Sequence, residues 1–469
     1  MNPAANKYQI DMCHGPLFGK IVIFVLPLML SNVMQLMFNA VDLVIVGQYA
    51  NYESMAAVGS CGALIALLLN LFYGLSVGAN VLTARCIGAR DKKMVSHSVH
   101  TAMAVALFGG ILMAVIGILI SKPVLEMMLT PANVLAKSSV YMQIYCAGIP
   151  FILLYNFGSS ILRATGDTRR PMRFMIIAGV IKLGINLLFV CVFRMDVVGV
   201  ASATIIANFV SAGLVIYAMT SVRDASRLFL KQIRFHASSF KEILMIGVPA
   251  GIQGALFSVS NIIIQSTINS FGAEAMAGSA ATAALEGMVF MAYNSYFHCV
   301  TSFTGQNHGA GKYKRIIKGF VYCMILSSAT ALVLGWGMFL AGPRLLKVFN
   351  PDPEVIKWGM LRLKFLLTLY FLGAMMDVVS GTLRGLGHSF KPTIVTLMGI
   401  CVFRVAWVKW IFPHYRTMEN LLISYPISWA MVAAVNGIIL YYVCRKMFRN
   451  VVAGQHPHFG TITANHASI

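Results

Sequence analysis

Polar side chains recur along one face of an apolar segment near the start of the chain. Counted from the first, they fall at intervals of three, seven and ten residues, which places them all on one side of a helix: Asn32, Gln35, Asn39 and Asp42. Hydrogen bonds between helices would be enough to explain the amides of this polar stripe. The carboxyl group is different, because an acid at the centre of a membrane helix costs about 2.5–3.5 kcal/mol. Asp42 is therefore the first candidate for a functional charge.

The second half of the chain carries polar residues of its own in apolar surroundings. Asn261 and Gln265 are four residues apart and share one helix face. Glu286 and Asp377 are the two further acids that fall inside long apolar segments. A hydrogen bond or an ion pair within the membrane would satisfy either carboxyl group, and the sequence leaves the partner open among four basic residues: Lys182, Lys364, Arg404 and Lys409.

The elements that position these residues are long apolar segments. The chain of 469 residues is 58% hydrophobic and 11% charged, whereas a soluble domain carries about 25% charged residues. A helix that crosses a bilayer needs about 20 apolar residues. Twelve segments satisfy this, near 20–45, 54–82, 97–120, 138–162, 172–193, 196–220, 243–270, 275–303, 318–342, 357–383, 391–412 and 421–446. Because the apolar runs are continuous rather than alternating, we predict an all-α integral membrane protein with twelve transmembrane helices.

An internal repeat organises these helices. The pattern L-R-x-x-G-x-x-x-x-P occurs in ILRATGDTRRPM and again in TLRGLGHSFKPT, where Arg163 and Arg384 hold the same place in the two copies. One constant offset along the chain relates the arginines, the glycines and the prolines of the pattern. In each copy we expect the arginine to reach lipid phosphate or the carbonyl groups at a helix C-terminus. The glycine would let the chain turn, and the proline would open the next helix.

The repeat predicts two six-helix bundles. Six is an even number, so both bundles enter the membrane in the same direction and are related by a pseudo-two-fold axis along the membrane normal. The predicted divisions are an N-terminal bundle at 1–225, a basic cytoplasmic linker at 226–242, a C-terminal bundle at 243–449 and a disordered polar tail at 450–469.

The net charge is +21, and the distribution of the basic residues along the chain indicates how the protein is oriented in the membrane. If the N-terminus is cytoplasmic, 24 of the 36 Lys and Arg residues fall on the cytoplasmic side, as the positive-inside rule requires. We therefore expect both termini in the cytoplasm and contact with anionic membrane lipid, and no nucleic-acid partner. Nine dispersed cysteines argue against a disulfide framework or a zinc site. No Walker A, H-E-x-x-H or G-x-S-x-G motif is present, so we expect neither an ATP-driven pump nor an enzyme.

Several motifs, in their order and spacing, resemble the multidrug and toxic compound extrusion (MATE) family of bacterial type. They are LPLMLSNVMQLMFNAVDLVIVGQY, GARDKK, LRATGDTRRP, VGVASATIIA, GQNHGAGKYKR and LRGLGHSFKP, and the resemblance extends over residues 18–446. It implies a secondary antiporter in the plasma membrane. Such a protein exports cationic amphiphilic drugs or toxins in exchange for protons or sodium ions, without a bound cofactor. We expect it to act as a monomer on small organic cations.

The resemblance also implies roles for the polar residues. Asp42 would bind the coupling ion, with Asn39, Asn186 and Thr204 nearby. The family's N-x-x-x-D pattern is incomplete here, because Val190 stands where the acid would be. The missing carboxylate weakens a sodium site at Asp42 without excluding it. It also leaves Asp42 as a lone carboxyl group, which suits a proton carrier.

A second branch of the family binds its cation in the second half of the chain. Asp377 fits the acidic position that this branch has in the tenth helix, while Asn261 and Gln265 stand nearest to the missing acid of the seventh. Glu286 would then supply the second charge. An alternative function is flipping of a lipid-linked saccharide, which favours a basic cavity. Lys182 and Arg404 support that alternative, whereas the three membrane acids oppose it.

Overall fold

A computed structural model describes residues 8–49, 52–128 and 130–452, and within those ranges all the regular structure is helical. The first half contains seven α-helices: α1 (Leu17–Tyr49), α2 (Tyr52–Gly88), α3 (Lys92–Met127), α4 (Ala132–Ala147), α5 (Ile149–Ala164), α6 (Arg169–Asn186) and α7 (Asp196–Ser221). The second half contains eight: α8 (Ala237–Asn269), α9 (Ala273–Gly309), α10 (Tyr313–Phe349), α11 (Pro353–Leu366), α12 (Tyr370–Gly385), α13 (Phe390–Thr396), α14 (Phe403–Ala406) and α15 (Met418–Val452).

Together these helices form the predicted twelve spans. Eleven stretches of the described chain are long and apolar enough to cross a membrane, and α4 with α5 makes a twelfth that is bent by 44°. The pairs α11–α12 and α13–α14 each form one span, the latter reaching His414 through π- and 3₁₀-helical turns. The observed helices are longer than the predicted apolar segments, because their polar end turns continue the helix. For example, α2 has 37 residues.

The connection between the halves is shorter in the structure than predicted from composition. Helix α7 ends at Ser221 and α8 begins at Ala237, so the basic residues just after 236 are already helical. We call residues 222–236 the linker. Of the predicted tail at 450–469, the first three residues complete α15, and the remainder lies outside the described residues.

Each half has its own hydrophobic core. One cluster of buried side chains belongs to the first half and includes Phe157 and Leu82, extending to Ile243 at the start of α8. A second cluster, with Trp429 and Leu363, lies wholly within the second half. A third cluster joins the first part of α1 to α9, α10 and α12 of the second half, so the two halves are in contact through α1.

The pseudo-two-fold relation is visible where the halves meet. A Cβ atom on Gly88 would lie 1.9 Å from the carbonyl oxygen of Gln306, and a Cβ atom on Gly309 would lie 2.0 Å from that of Arg85. The offset between the two glycines equals that of the repeated motif, and it also relates Arg85 to Gln306. Each half thus makes the same backbone contact with the other, which confirms the predicted symmetry.

The two copies of the L-R-x-x-G-x-x-x-x-P motif form the same turn. Gly166 and Gly387 have φ values of +90° and +86°, a conformation that only glycine adopts without strain. Pro171 and Pro392 lie in the first turns of α6 and α13, where a missing N–H costs no helix hydrogen bond. The predicted roles of the glycine and the proline are therefore confirmed.

The expectation for the second arginine of the motif is wrong. Arg384 is buried, donates to Gln253 Oε1 at 2.6 Å and lies over the ring of Phe297. It therefore faces the protein interior and contacts no lipid. Arg163 donates to Ser160 Oγ at 2.7 Å on its own helix.

Candidate functional site

Asp42 is held by two residues of a single helix. Lys182 Nζ forms an ion pair with Asp42 Oδ2, and Asn186 Nδ2 donates to Asp42 Oδ1 at 2.6 Å. Lys182 and Asn186 are four residues apart on α6, so their side chains share one face and reach the same carboxylate. Immediately afterwards α6 turns into a π-helical segment at Leu187–Val192. Such π turns are frequent at functional sites.

One expectation about this site needs correction. Asp42 is not a lone carboxyl group, because Lys182, considered above as a partner for the acids of the second half, neutralises it instead. The hydroxyl of Thr204 donates to Val200 O of its own helix at 2.9 Å. Val190, which replaces the family's second acid, is buried within the π-helical segment.

The polar stripe on α1 divides between the two halves of the protein. At the N-terminal end of the stripe, Asn32 Nδ2 donates across the interface between the halves to Ser295 Oγ on α9 at 3.1 Å. At the C-terminal end of the stripe, Asp42 bonds to α6 within the first half. Gln35 and Asn39, between them, are exposed. One helix face therefore connects the candidate ion site to the interface between the halves.

Glu286 forms a buried ion pair in which both carboxylate oxygens accept hydrogen bonds from one arginine. Its Oε1 and Oε2 accept from Nε and Nη2 of Arg362, on α11, at 2.6 and 2.8 Å. Both residues are buried, and this fork-to-carboxylate geometry is the strong form of the interaction. Arg362 was not among the predicted partners.

A chain of hydrogen bonds extends from this pair to α8. Arg362 Nη1 also donates to Ser279 Oγ, which in turn donates to Gln265 Oε1 at 3.4 Å. Gln265 is therefore linked to Glu286 indirectly, through Ser279 and Arg362. Asn261 is exposed and takes no part in this chain.

Asp377 lies apart from that chain. Its Oδ2 accepts a hydrogen bond from Asn294 Nδ2 on α9 at 3.1 Å, and no basic side chain of the described residues forms an ion pair with it. Of the three membrane acids it is the one whose charge is not neutralised. Asn294 and Arg362 escaped the sequence analysis, because neither their residue type nor their spacing distinguishes them from other polar groups on these helices.

The end of the molecule at which α2, α5, α9 and α12 finish is closed. Beyond the glycine contacts described above, Gln306 Nε2 donates to Ala164 O, at the end of α5, at 2.6 Å. The C-terminal part of α15 packs at the same end, where residues around Leu440 contact Leu383 and Tyr313. Both termini of the described chain therefore lie on this side.

Residues 8–16, which we call the N-terminal strap, cross this closed end. Arg315 at the start of α10 donates to Met12 O, His14 O and Gly15 O at 3.0, 2.9 and 2.9 Å. On the other side, Ile10 N donates to Gly166 O of the first half at 3.3 Å. The strap thus bonds to both halves at once and can hold them together.

Both halves of the chain match one known family. The MatE family profile matches residues 27–188 and 249–408, one stretch in each half. The chain belongs to the MatE family. It is a multi-pass membrane transporter of that family.

Proteins of similar sequence are named as drug transporters. The chain is 28% identical to the Probable multidrug resistance protein YoeA of Bacillus subtilis over 422 residues, which are 87% of this chain and 90% of that protein. It is 27% identical to the Probable multidrug resistance protein NorM of Thermotoga maritima, with coverages of 81% and 82%. The Multidrug export protein MepA of Staphylococcus aureus is 22% identical, with coverages of 92% and 95%.

Solved structures establish that the MatE transporter has the same fold. A crystal structure of MATE in complex with MaL6 superposes with a TM-score of 0.88 at 22% identity, covering 95% of this chain and all of that one. A transporter of the MOP superfamily from Pyrococcus furiosus superposes equally well, with a TM-score of 0.88 at 21% identity and coverages of 94% and 99%. That protein is described as having a binding pocket of reverse polarity that suggests a different function. The function of the present transporter must therefore be argued from its own interior charges.

Proposed function

We propose that this MatE transporter exports small organic cations across the plasma membrane in exchange for protons. The observation that carries the proposal is the pairing of Asp42 with Lys182 inside the first half. The names of the relatives support multidrug substrates. An ionisable pair that faces the interior of a transporter supports ion coupling.

Protons suit this site better than sodium ions. Sodium is a hard cation that prefers several oxygen ligands, and the described residues contain no group of three or more Asp, Glu, His or Cys side chains arranged to hold a metal ion. The Lys182 ammonium already occupies the place of a cation beside Asp42. A proton can add to the carboxyl group and thereby release Lys182, whereas a sodium ion would have to displace a covalently tethered ammonium.

The release of Lys182 would change the contact between α1 and α6. Asp42 loses its charge on protonation, and Lys182 then remains as a buried charge in need of another partner. The polar stripe continues from Asp42 along α1 to Asn32, which bonds to α9 of the other half. Movement of α1 would thus change the contacts at the interface between the halves. We propose that the two halves rock against each other as rigid bodies.

The closed end is the basic end of the molecule, and we assign it to the cytoplasm by the positive-inside rule. The described conformation is then closed towards the cytoplasm. Opening towards the cytoplasm would require separation of Gly88 from Gln306 and of Gly309 from Arg85, together with release of the N-terminal strap from one half.

The substrate cation would be attracted by Asp377. Glu286 is already neutralised by Arg362, so its role is to fix α9 against α11. Next to Asp377, the rings of Tyr293, Tyr370 and Trp429 form a buried aromatic group with centroid separations of 5.6 and 5.3 Å between neighbours. These rings belong to the core of the second half, so a flat organic cation would reach them only if the helices around Asp377 move apart.

The basic residues that supported a saccharide-lipid flippase are occupied. Lys182 is paired with Asp42. Arg404 is buried, donates to Ser428 Oγ at 3.0 Å and lies 4.0 Å above the ring of Tyr425. Lys182 therefore presents no free positive charge to a pyrophosphate, which favours cation export, whereas Arg404 keeps its charge but is buried beneath an aromatic ring.

Ethidium efflux in everted vesicles, with proton and sodium gradients imposed separately, tests the proposal. We expect the proton gradient alone to drive transport by the wild-type protein, and Asp42→Asn to abolish it. Glu354→Gln is a matched carboxylate-to-amide control at an exposed ion pair with Lys357 and should transport normally. Transport driven by sodium alone would overturn proton coupling, and normal efflux by Asp42→Asn would show that the site is structural.

A further inference from the structure

A cationic pocket lies outside the transport site, where the linker crosses the start of α3. It has a volume of about 250 Å³ and its lining consists of Lys93, Ser96, His97, His100, Gln232, Arg234 and His236. Two of these residues carry permanent positive charges, three are imidazoles, and none is a carboxylate. The transport mechanism uses none of them.

Hydrogen bonds hold the walls of the pocket in place. His100 is buried, bonds through Nδ1 to Ser96 O at 2.7 Å and accepts through Nε2 from the backbone N–H of Phe229 at 3.1 Å. The backbone N–H of His236 donates to Thr101 Oγ1 at 3.1 Å. The linker is therefore fixed to α3 at two points, and the pocket between them is preformed.

The cationic groups of the pocket are available to a ligand. The rings of His97 and His236 stack with their centroids 3.9 Å apart, and Arg234 uses Nε to donate to His236 Nε2 at 3.1 Å. Among the described residues, the terminal nitrogens of Arg234 and the ammonium of Lys93 have no hydrogen-bond partner. An ammonium, a guanidinium and three imidazoles thus line one small cavity whose lining holds no carboxylate, and a bound anion would reduce the repulsion among the charged groups.

We propose that this pocket binds a phosphate group, held between Lys93 and Arg234 with His97 and His236 beside it. An ammonium from α3 and a guanidinium from the linker, lining one small cavity, suit the several oxygens of a phosphate. Bound there, the phosphate bridges α3 to the linker that joins the two halves.

An anionic phospholipid is the source that the surroundings favour. The lining residues alternate along the linker, so Phe235 turns away from the pocket onto Phe108, with the ring centroids 5.6 Å apart. Both rings are about half exposed, at 47% and 52%. Phe108 lies about two turns further along α3 than the pocket, towards the membrane interior. A headgroup phosphate in the pocket would thus place acyl chains beside this aromatic pair.

The internal repeat provides a matched control. Lys314 and Lys318, at the start of α10, are the counterparts of Lys93 and His97 at the offset of the repeated motif. Both side chains are exposed, and the second half has no linker to cover them. Equal cationic charge on the same face of the protein is therefore present there without the pocket.

Binding of labelled phosphatidylglycerol to the purified full-length protein, with phosphatidylcholine as the neutral probe, tests the proposal. We expect the double variant Lys93→Gln/Arg234→Gln to bind the anionic lipid about tenfold or more weakly, as the loss of two charge-assisted contacts implies. Lys314→Gln should bind as the wild type does. Inorganic phosphate is the second probe. If the wild type binds phosphate but not phosphatidylglycerol, and the double variant loses this binding, the pocket is assigned to a soluble phosphate.

Two results would overturn the site. One is anionic-lipid and phosphate binding that the double variant leaves unchanged; the other is no binding of either probe by the wild type. Because the double variant could misfold, the wild-type protein supplies an independent measurement. Acylation of His97 and His236 by diethylpyrocarbonate should slow when phosphatidylglycerol or phosphate is added, while exposed His414 at the other end should react unchanged. Acylation of His97 and His236 at the same rate with and without these ligands would also contradict the proposal.

Discussion

Lys182 neutralises Asp42 in the first half, and the second half has no equivalent pair. Asn39 of α1 and Asn261 of α8 correspond in the repeat, and the same offset relates Asp42 to Ile264. Ile264 is buried among apolar side chains. The fold is symmetric in its backbone contacts but asymmetric in its buried charge, and this asymmetry is the reason that we propose ion coupling in the first half and substrate attraction by Asp377 in the second.

Asp42→Asn should separate coupling from drug binding. The amide keeps the size of the side chain and can still bond to Asn186, but it cannot exchange a proton. Active efflux should fall to background. Binding of a cationic dye should weaken by only about two- to tenfold, since a distant charge is worth about 1 kcal/mol. Equilibrium dye binding and vesicle efflux, measured on one preparation, check this; a variant that retains the wild-type pH profile of efflux would place the coupling ion elsewhere.

The pair between Glu286 and Arg362 should dominate the stability of the second half. Removing one partner leaves an uncompensated buried charge, so Glu286→Gln should cost about 3–5 kcal/mol in the free energy of unfolding. The double variant Glu286→Gln/Arg362→Met should recover part of this loss. Thermal unfolding in detergent measures both. At the exposed pair of Glu354 with Lys357, Glu354→Gln should cost about 0–1 kcal/mol. Equal losses at the two pairs would contradict the prediction.

A methyl group at Gly88 should prevent full closure of the end at which α2 and α9 meet. Its Cβ would lie 1.9 Å from a backbone oxygen of the other half, which cannot move aside as a side chain can. Distances between spin labels attached at Arg90 and Lys314 should therefore lengthen in Gly88→Ala, and efflux should fall. Gly337→Ala is the control, because a Cβ there meets no atom within 4 Å. An unchanged distance distribution in Gly88→Ala would argue that the closed contact is not required.

Release of the N-terminal strap should expose Cys13. In the strap, burial and the Asp11 carboxylate raise the pKa of the Cys13 thiol, which suppresses the reactive thiolate. Arg315→Gln removes the donors to three strap carbonyl groups. It should therefore speed alkylation of Cys13 at neutral pH, while Lys314→Gln, one residue away and exposed, should not. Mass spectrometry of the labelled peptide follows the rate. Equal rates in the two variants would show that Arg315 does not hold the strap.

Anion binding at the linker should strengthen as the pH falls. In the empty pocket, burial lowers the pKa of His236, and neighbouring cations lower it further, so that the ring is neutral near pH 7. A bound phosphate favours the protonated ring, and binding is therefore accompanied by proton uptake. Without a bound anion, acidification has the opposite effect on the attachment of the linker. It charges His236 among its positive neighbours and so weakens the contact between the linker and α3. The groups that face His236 and its stacked partner are Lys93, His97 and His100 of α3, Arg234 of the linker and Asp91 at the start of α3.

Affinity for phosphatidylglycerol, measured on either side of the histidine range, checks this prediction. We expect tighter binding at the acidic end, and a flatter profile in His236→Asn. A wild-type affinity that does not change with pH would show that the imidazoles take no part in binding.

Local patterns in the sequence were sufficient for the twelve spans and the two-fold repeat. These features depend on hydrophobicity along a single helix or on a constant offset, and both can be counted without knowing which helices touch. The same holds for Gly166 and Gly387, whose turns follow from the conformational freedom of glycine. Helix ends were less accurate, because hydropathy falls before the helical hydrogen bonds stop.

The tertiary structure decided which charges meet. Lys182 of α6 reaches Asp42 of α1, and Arg362 of α11 reaches Glu286 of α9, so both pairs join helices that are not consecutive in the chain. Apolar periodicity shows that a residue is buried, but it does not show which neighbour lies opposite, because that depends on how helices distant in the chain rotate and pack. Arg384 illustrates the same limit: its place at a helix end fits a lipid contact, and only the packing of α8 and α9 turns it inward onto Gln253 and Phe297.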